Sequence, residues 1–504
     1  TDRALVEAVE TGLLDEAVLD RAVGRVLRVV FRAGEALRTL PEAPVDPAAN
    51  HRFARRTAAE CMVLLKNVKN LLPLASGRRV AVIGPFARVP RTQGGGSSHV
   101  PSWSVDVPLD ELRTYFPDAA YARGCGAEDA ADEVDGTELE EAVRTAREAD
   151  VAVLFLGLPD RIESEGYDRT DMLLPGGQVR LLEAVAAVRP ETVVVLMNGS
   201  PVEMPWADRA EAILEAYLGG DASGGAVADI LSGTVSPSGR LAETFPLRLE
   251  HNPSYLDFPG QGRTVRYTEG VFTGYRYYST RKMEVLFPFG HGLSYTTFSY
   301  SGLRLSQIAL LDNETLGVSL RVRNTGDRQG QEVVQLYVSP GESPVRRPAQ
   351  ELKAFAKIAL EPGEERTVVF ELDRRAFAWY DEPGMRWRTD NGTCRIRIGA
   401  SSDDIRLEAG VVVCTSDRPE VCLDEYATLG ELAEHPDLAP IVEEEIDRLR
   451  AGYGQSSLAA MGEGFAQTVL LTTPLRVMAR QSAHGLDRAW MDRLLERCRQ
   501  ALQE

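Results

Sequence analysis

Apolar residues recur along this chain in two rhythms, and the change from one to the other divides it. Leu19, Ala22, Val23, Val26, Leu27 and Val30 follow i, i+3, i+4 spacing, the stripe of an amphipathic helix. Residues 1–35 are expected to be helical, with Asp15 and Glu16 favouring an N-terminal end and Gly34 a stop. A Pro/Ala-rich linker from Pro41 to Pro47 precedes a second helix, expected from Ala48 to Leu65. Apolar runs follow at Arg79 to Pro85, Val151 to Leu158 and Thr192 to Met197, with a shorter one at Ala212 to Tyr217. Such runs read as buried parallel strands. Helical stretches at 138–148, 177–188 and 224–232 alternate with them, which predicts an α/β domain with a mainly parallel sheet over about 50–250.

Beyond Pro246 the pattern turns irregular and rich in Gly, Tyr and Pro, a connecting segment over 251–305 expected to pack on the α/β layers. From 306 to 415 the period becomes two. Gly317 to Asn324, Glu332 to Val338, Arg366 to Leu372 and Cys394 to Gly399 alternate apolar with polar and end at turn residues, as in an antiparallel β-sandwich. Residues 424–504 return to helix, with stripes at 440–451 and 485–502 and a looser stretch between, where Gly452, Gly454, Gly462 and Gly464 fall. The fold class is multidomain, α/β plus β-sandwich with a helical C-terminal tail.

Composition narrows the partners. A formal charge of -19 over 504 residues disfavours nucleic acid and anionic membranes, which select basic surfaces. No apolar run reaches the roughly 18 residues of a membrane helix. Six scattered cysteines without a CxxC pair form neither a disulfide scaffold nor a zinc site, so a reducing, cytoplasmic location is expected. Residues at the N-terminus do not read as a signal peptide; the sequence starts in mid-pattern and is expected to be cut from something larger. The six histidines show no HExxH, and Gly94-Gly95-Gly96 lies too far past its strand for a dinucleotide fingerprint. Neither a metal nor a cofactor is expected.

Candidate chemistry gathers at Arg161-Ile162-Glu163-Ser164-Glu165-Gly166-Tyr167-Asp168-Arg169, directly after the 151–158 run. Open α/β sheets place ligands beyond the carboxyl ends of strands, and several carboxylates with an Arg suit acid/base work on a polar substrate. A solvated acidic loop is the plain alternative. Ser97, Ser98 and His99 offer hydroxyls and an imidazole to a sugar-like ligand, or simply a surface loop. A serine-hydrolase elbow at Asn198-Gly199-Ser200-Pro201-Val202 fails, because Val202 replaces the second Gly and Pro201 removes an N–H. The aromatic group Tyr267, Phe272, Tyr275, Tyr277 and Tyr278 suits interface packing or sugar stacking.

As an ordered set, several blocks resemble a family 3 glycoside hydrolase of the β-glucosidase/β-xylosidase type. They are Val63 to Asn67 with Leu72-Pro73-Leu74, Ala81 to Pro85, Gln93 to Ser98, Glu163 to Arg169, Gly233 to Pro246, Glu269-Gly270 with Gly274 to Tyr278, and Phe287 to Tyr295. The resemblance covers about residues 1–415, with 310–413 similar to the family's fibronectin type III-like domain. It implies a retaining hydrolase of terminal β-glycosides, working on an oligosaccharide or other β-glycoside without a cofactor. Glu165, directly before Gly166, would be the acid/base, with Glu163 as the fallback. Asp168 and Arg169 would hold the loop by ion pairing, and Ser97, Ser98 and His99 would face the site entrance. The family's nucleophile sits on a preceding (β/α)8 barrel, and no residue here matches its motif; Ser416-Asp417 lies after the sandwich and is followed by Arg418. Residues 1–40 resemble the barrel's last helix and a linker. The chain alone is therefore expected to be inactive, with the barrel as its missing partner; self-association into a homo-oligomer stays open. The rival reading is a non-catalytic carbohydrate-binding or scaffolding protein derived from such an enzyme.

Overall fold

The computed structural model of the chain describes residues 2–40, 45–312, 314–382, 384–417, 422–453, 463–480 and 485–502. Its N-terminal part holds two helices rather than one, α1 (Asp2–Glu10) and α2 (Glu16–Thr39). The break falls where Gly12 takes a φ of 73° and Asp15 caps α2 by accepting the Ala17 N–H. Gly34 does not stop α2. One interior glycine costs about 1 kcal/mol, which a 24-residue helix absorbs. No residue of α2 is buried, and Val26, Val29, Val30 and Phe31 all face solvent.

The next helix, α3 (Pro47–Cys61), is capped by Asp46 and ends sooner than its pattern suggests. Val63-Leu64-Leu65 is not its last turn but the start of β1 (Val63–Asn67), with all three side chains buried. Three consecutive residues on a helix fan around about 200°, wider than one buried face, whereas a strand covered on both faces hides every side chain.

The α/β domain continues through β2 (Val80–Ile83), α4 (Pro108–Tyr115), β3 (Ala120–Ala122), α5 (Gly136–Glu148) and β4 (Val151–Gly157). It closes with α6 (Gly176–Val188), β5 (Thr192–Met197), β6 (Ala212–Glu215) and α7 (Ser223–Ser232). The strands are ordered β1-β6-β5-β4-β2-β3, all parallel except β1, which runs antiparallel to β6 at the edge. All seven residues of β4 are buried. Alternate strand residues feed two cores, Val153 and Val195 on one face and Leu154 and Leu196 on the other. The chain winds outward from β2 to β3 in one direction and from β4 through β5 to β6 in the other. The switch therefore falls between β2 and β4, and beyond their carboxyl ends an open α/β sheet has its natural crevice.

The irregular segment that follows contains one short helix, α8 (Tyr275–Arg281), and is fastened to the α/β domain by backbone bridges Phe245–Phe287 and Leu64–Leu293. Tyr275 stacks on Phe289 at 4.5 Å, and its hydroxyl accepts the Leu352 N–H at 2.7 Å. Tyr267, by contrast, is 88% exposed.

Ten strands follow: β7 (Phe298–Leu305), β8 (Ala309–Leu310), β9 (Leu316–Asn324), β10 (Gly330–Ser339), β11 (Glu351–Leu360), β12 (Glu365–Leu372), β13 (Trp379–Asp381), β14 (Arg386–Arg388), β15 (Gly392–Gly399) and β16 (Ile405–Val413). A five-stranded sheet β11-β10-β15-β16-β8 faces a three-stranded sheet β12-β9-β7, and β13 and β14 form a separate hairpin. In β9 the period of two is literal, with Leu316, Val318, Leu320 and Val322 buried between the sheets. The tail comprises α9 (Leu429–Ala433), α10 (Ala439–Tyr453), α11 (Glu463–Thr472), α12 (Leu475–Met478) and α13 (Arg488–Ala501) around its own core of Leu432, Val442, Leu475, Trp490 and Leu494. Residues 41–44 of the expected linker, and Gly454 and Gly462 of the looser stretch, lie outside the described residues.

Candidate active site

Beyond the switch point two loops meet, one leaving β2 and one leaving β4. Gly157 ends β4 at φ 157°, so close to β5 that a Cβ there would sit 2.1 Å from the Met197 carbonyl oxygen. Its own backbone is satisfied by buried Gln178 of α6, which accepts the Gly157 N–H at 2.8 Å and donates to the Gly157 carbonyl at 2.9 Å. The β4 loop thus departs from a fixed point.

Its next residues are gathered by Arg91, which is 6% exposed and belongs to the loop after β2. Arg91 Nη1 donates to the Leu158 carbonyl at 2.6 Å and to Glu163 Oε2 at 2.5 Å. Nη2 donates to the Glu163 carbonyl at 2.5 Å, and Nε to Asp160 Oδ1 at 3.0 Å. The Glu163 carboxylate is further held by the Gly199 N–H, 2.7 Å from Oε2, and by the Ser200 hydroxyl on Oε1. Loops after β2, β4 and β5 are thereby tied at one carboxylate, which has little left to offer a substrate.

Glu165, two residues on, is exposed. Its Oε2 accepts both the Ser97 N–H at 2.8 Å and the Ser97 hydroxyl. Among the described residues Oε1 has no hydrogen-bond partner. The two Ser97 donors stabilise the ionised form and hold the Glu165 carboxyl below the usual range, the hydroxyl contributing most. This approach depends on glycine. Gly95 pairs with Ser164 backbone to backbone, where a Cβ would lie 2.5 Å from Ser164 Oγ. Gly96 has φ 85°, and a Cβ there would lie 2.7 Å from that of Glu165.

Of the other expected site residues, Ser98 is exposed, and its hydroxyl donates to the Gly94 carbonyl of its own loop at 3.0 Å. His99 is exposed on a loop closed by Gln93, which accepts the Val100 N–H at 2.8 Å and donates to its carbonyl at 3.0 Å. Arg169 Nη1 donates to Ser200 Oγ at 2.8 Å and to the Pro201 carbonyl at 3.1 Å. Burial depresses its pKa. Asp168 is exposed and, among the described residues, forms no hydrogen bond or ion pair.

Arg91, Glu215 and Glu243 do not stand out in the sequence, and Ser200, weighed there only as a hydrolase nucleophile, serves here as a donor to Glu163. Fully buried Glu215 ends β6, accepting from Asn198 Nδ2 at 3.1 Å and from the Tyr217 N–H at 3.0 Å. Desolvation raises its pKa well above the carboxylate range, with Glu163 adding to the rise. Glu243, which keeps contact with solvent, is pushed up to about 7, first by partial desolvation and then by Glu163, while Arg169 opposes. A carboxyl closing the apolar run Ala212-Ile213-Leu214 was a usable signal for Glu215. Nothing local marks Arg91.

Over both domains the chain is similar to known proteins. Residues 62–295 match the glycosyl hydrolase family 3 C-terminal domain, and residues 332–402 a fibronectin type III-like domain. Thermostable β-glucosidase B of Acetivibrio thermocellus is 51% identical over 416 residues, 82% of this chain and 55% of that protein. An exo-α-(1→6)-L-arabinopyranosidase of Bifidobacterium longum is 41% identical over 452 residues, 88% of this chain and 59% of that one. The crystal structure of a family 3 β-glucosidase from Bifidobacterium adolescentis superposes with a TM-score of 0.80 at 42% identity, covering 88% of this chain and 64% of the other. This chain spans less than two-thirds of the length of each of these relatives. By its C-terminal α/β domain and the fibronectin type III-like sandwich behind it, the chain belongs to glycoside hydrolase family 3.

Proposed function

We propose that this chain supplies the acid/base carboxyl of a retaining β-glycosidase acting on terminal, nonreducing β-D-glucosyl or similar residues, and that the nucleophile comes from a (β/α)8 barrel outside it. The observation that carries the reading is the state of Glu165. It stands at the sheet's switch point, exposed, with Ser97 holding Oε2 and Oε1 open. Glu163, the fallback, is consumed by Arg91, Gly199 and Ser200. In the first half-reaction the Glu165 carboxyl gives its proton to the glycosidic oxygen as the anomeric carbon is attacked; in the second it takes a proton from the water that releases the sugar. The Ser97 donors favour the charged form, so the acid step needs an opposing influence. A second ionised carboxylate about 5–5.5 Å away and exclusion of water by bound sugar both act that way. Relatives named for glucosides and for an arabinopyranoside support a terminal-sugar substrate without choosing the sugar.

The chain by itself is expected to hydrolyse aryl β-glucosides negligibly, since it provides one of the two carboxyls. In the enzyme containing the barrel, Glu165→Gln is expected to lower kcat/KM for glycosides with poor leaving groups by about 10²–10⁴-fold, and for activated aryl glycosides far less, while kcat falls on both. Azide should then restore turnover and give a β-glycosyl azide. Equal loss of kcat/KM on every leaving group would remove Glu165 from the acid role.

A further inference from the structure

Four hydrogen bonds converge on one guanidinium that never reaches the open side of the site. Burying a charge is expensive even when it is paired, and a buried pair is often no more stable than apolar packing of the same volume. Stability alone therefore explains Arg91 poorly, and its geometry suggests another use. From the same residue the chain runs six positions to Ser97, which holds Glu165. Its donors meanwhile grip Leu158, Asp160 and Glu163 on the opposite loop, the last two residues short of Glu165. Both sides of the Ser97–Glu165 contact thus start from one rigid plane.

We infer that Arg91, acting through Glu163, is a positioning residue that sets where the Glu165 carboxyl stands; the inference rests on the acid/base role proposed above. Its planar fork spans four acceptors at fixed angles, which a lysine ammonium, a single point with rotatable donors, does not reproduce. Ser200 completes the clasp from the β5 side by donating to the other Glu163 oxygen. Proton transfer is sensitive to such placement: a shift of about 1 Å costs on the order of 10²-fold in rate.

The test uses the barrel-containing enzyme with Arg91→Lys and Ser200→Ala, beside Glu165→Gln as reference. Arg91→Lys is expected to lower kcat/KM, which reports the first half-reaction, by about 10²-fold on glycosides with poor leaving groups and by much less on activated aryl glycosides, so that kcat/KM depends more steeply on the leaving group. Ser200→Ala should show the same pattern at smaller amplitude. In the 504-residue chain, hydrogen exchange at the Ser97 amide should quicken in both variants while the β4 amides stay protected. A loss of kcat/KM equal on all leaving groups, or no loss, overturns the positioning role. Should Arg91→Lys fail to fold, Ser200→Ala decides by the same criterion, because it leaves the buried cation in place. If Glu165→Gln itself shows no leaving-group dependence, the acid/base reading fails first. If it does and the other two variants do not, only the positioning inference falls.

Discussion

The loop after β4 has two halves with opposite physics. In residues 158–163 the polar groups are spoken for: Arg91 takes the Leu158 and Glu163 carbonyls and the Asp160 and Glu163 carboxylates, and Gly199 and Ser200 close the set. In residues 164–168 one carboxyl oxygen of Glu165 is unengaged, and Tyr167 and Asp168 stand in solvent. A single loop thus combines a desolvated anchor with a presented acid. The division shows how a group can be both well placed and free to exchange a proton: the placement is paid for two residues away.

The largest contrast should appear in stability. Glu163→Ala leaves buried Arg91 with only the solvent-exposed Asp160 carboxylate and is expected to cost about 3 kcal/mol, whereas Glu165→Ala should leave the urea midpoint where it is. Equal effects of the two substitutions would erase the distinction between the halves. A finer probe is Ser97→Ala. Loss of the hydroxyl removes the larger of the two influences that hold the Glu165 carboxyl down. As a general acid must be protonated, activity falls as pH rises through its pKa. The alkaline limb of kcat/KM in the barrel-containing enzyme should therefore move to higher pH in the variant. An unmoved limb, or a move to lower pH, would show that Ser97 does not govern this proton.

Much of the scaffold was legible because its signals are local. The unbroken apolar run of β4, the alternation in β9 and the stripe of α13 are each visible locally. Errors arose where two signals touch. The Ala-rich α3 runs into Val63-Leu64-Leu65 with one residue, Met62, between helix and strand. Strand β3 has three residues, too few for a period. The stripe on α2 was visible, yet periodicity cannot say what a stripe packs against, and in this chain none of its residues is buried. At the site, Glu165 stood out through its motif, as the resemblance implied, but its relation to Ser97 joins positions 68 residues apart, and Arg91 reaches across 72 to Glu163. Contacts at that range are properties of the folded sheet. That Glu163 would be anchored and Glu165 presented could not be read from two glutamates separated by one serine.

Glu215 and Glu243, described above as neighbours of the anchor, make folding a proton-linked reaction. Each has a folded pKa above that of the unfolded chain, near 7 for Glu243. Below the ordinary carboxylate range both states hold these protons, and the contribution to stability is at its full value. As pH rises the unfolded chain releases them first, so stability declines until the folded values are passed. Near neutrality the chain must take up protons as it folds, and the native molecule carries less negative charge than the formal -19. Unfolding by urea between about pH 5 and about pH 8 should show that decline, and Glu215→Gln should reduce its slope; a profile equally steep in both would place the linked protons elsewhere. Part of this protein's acidity belongs to its unfolded state and vanishes when the sheet closes over Glu215.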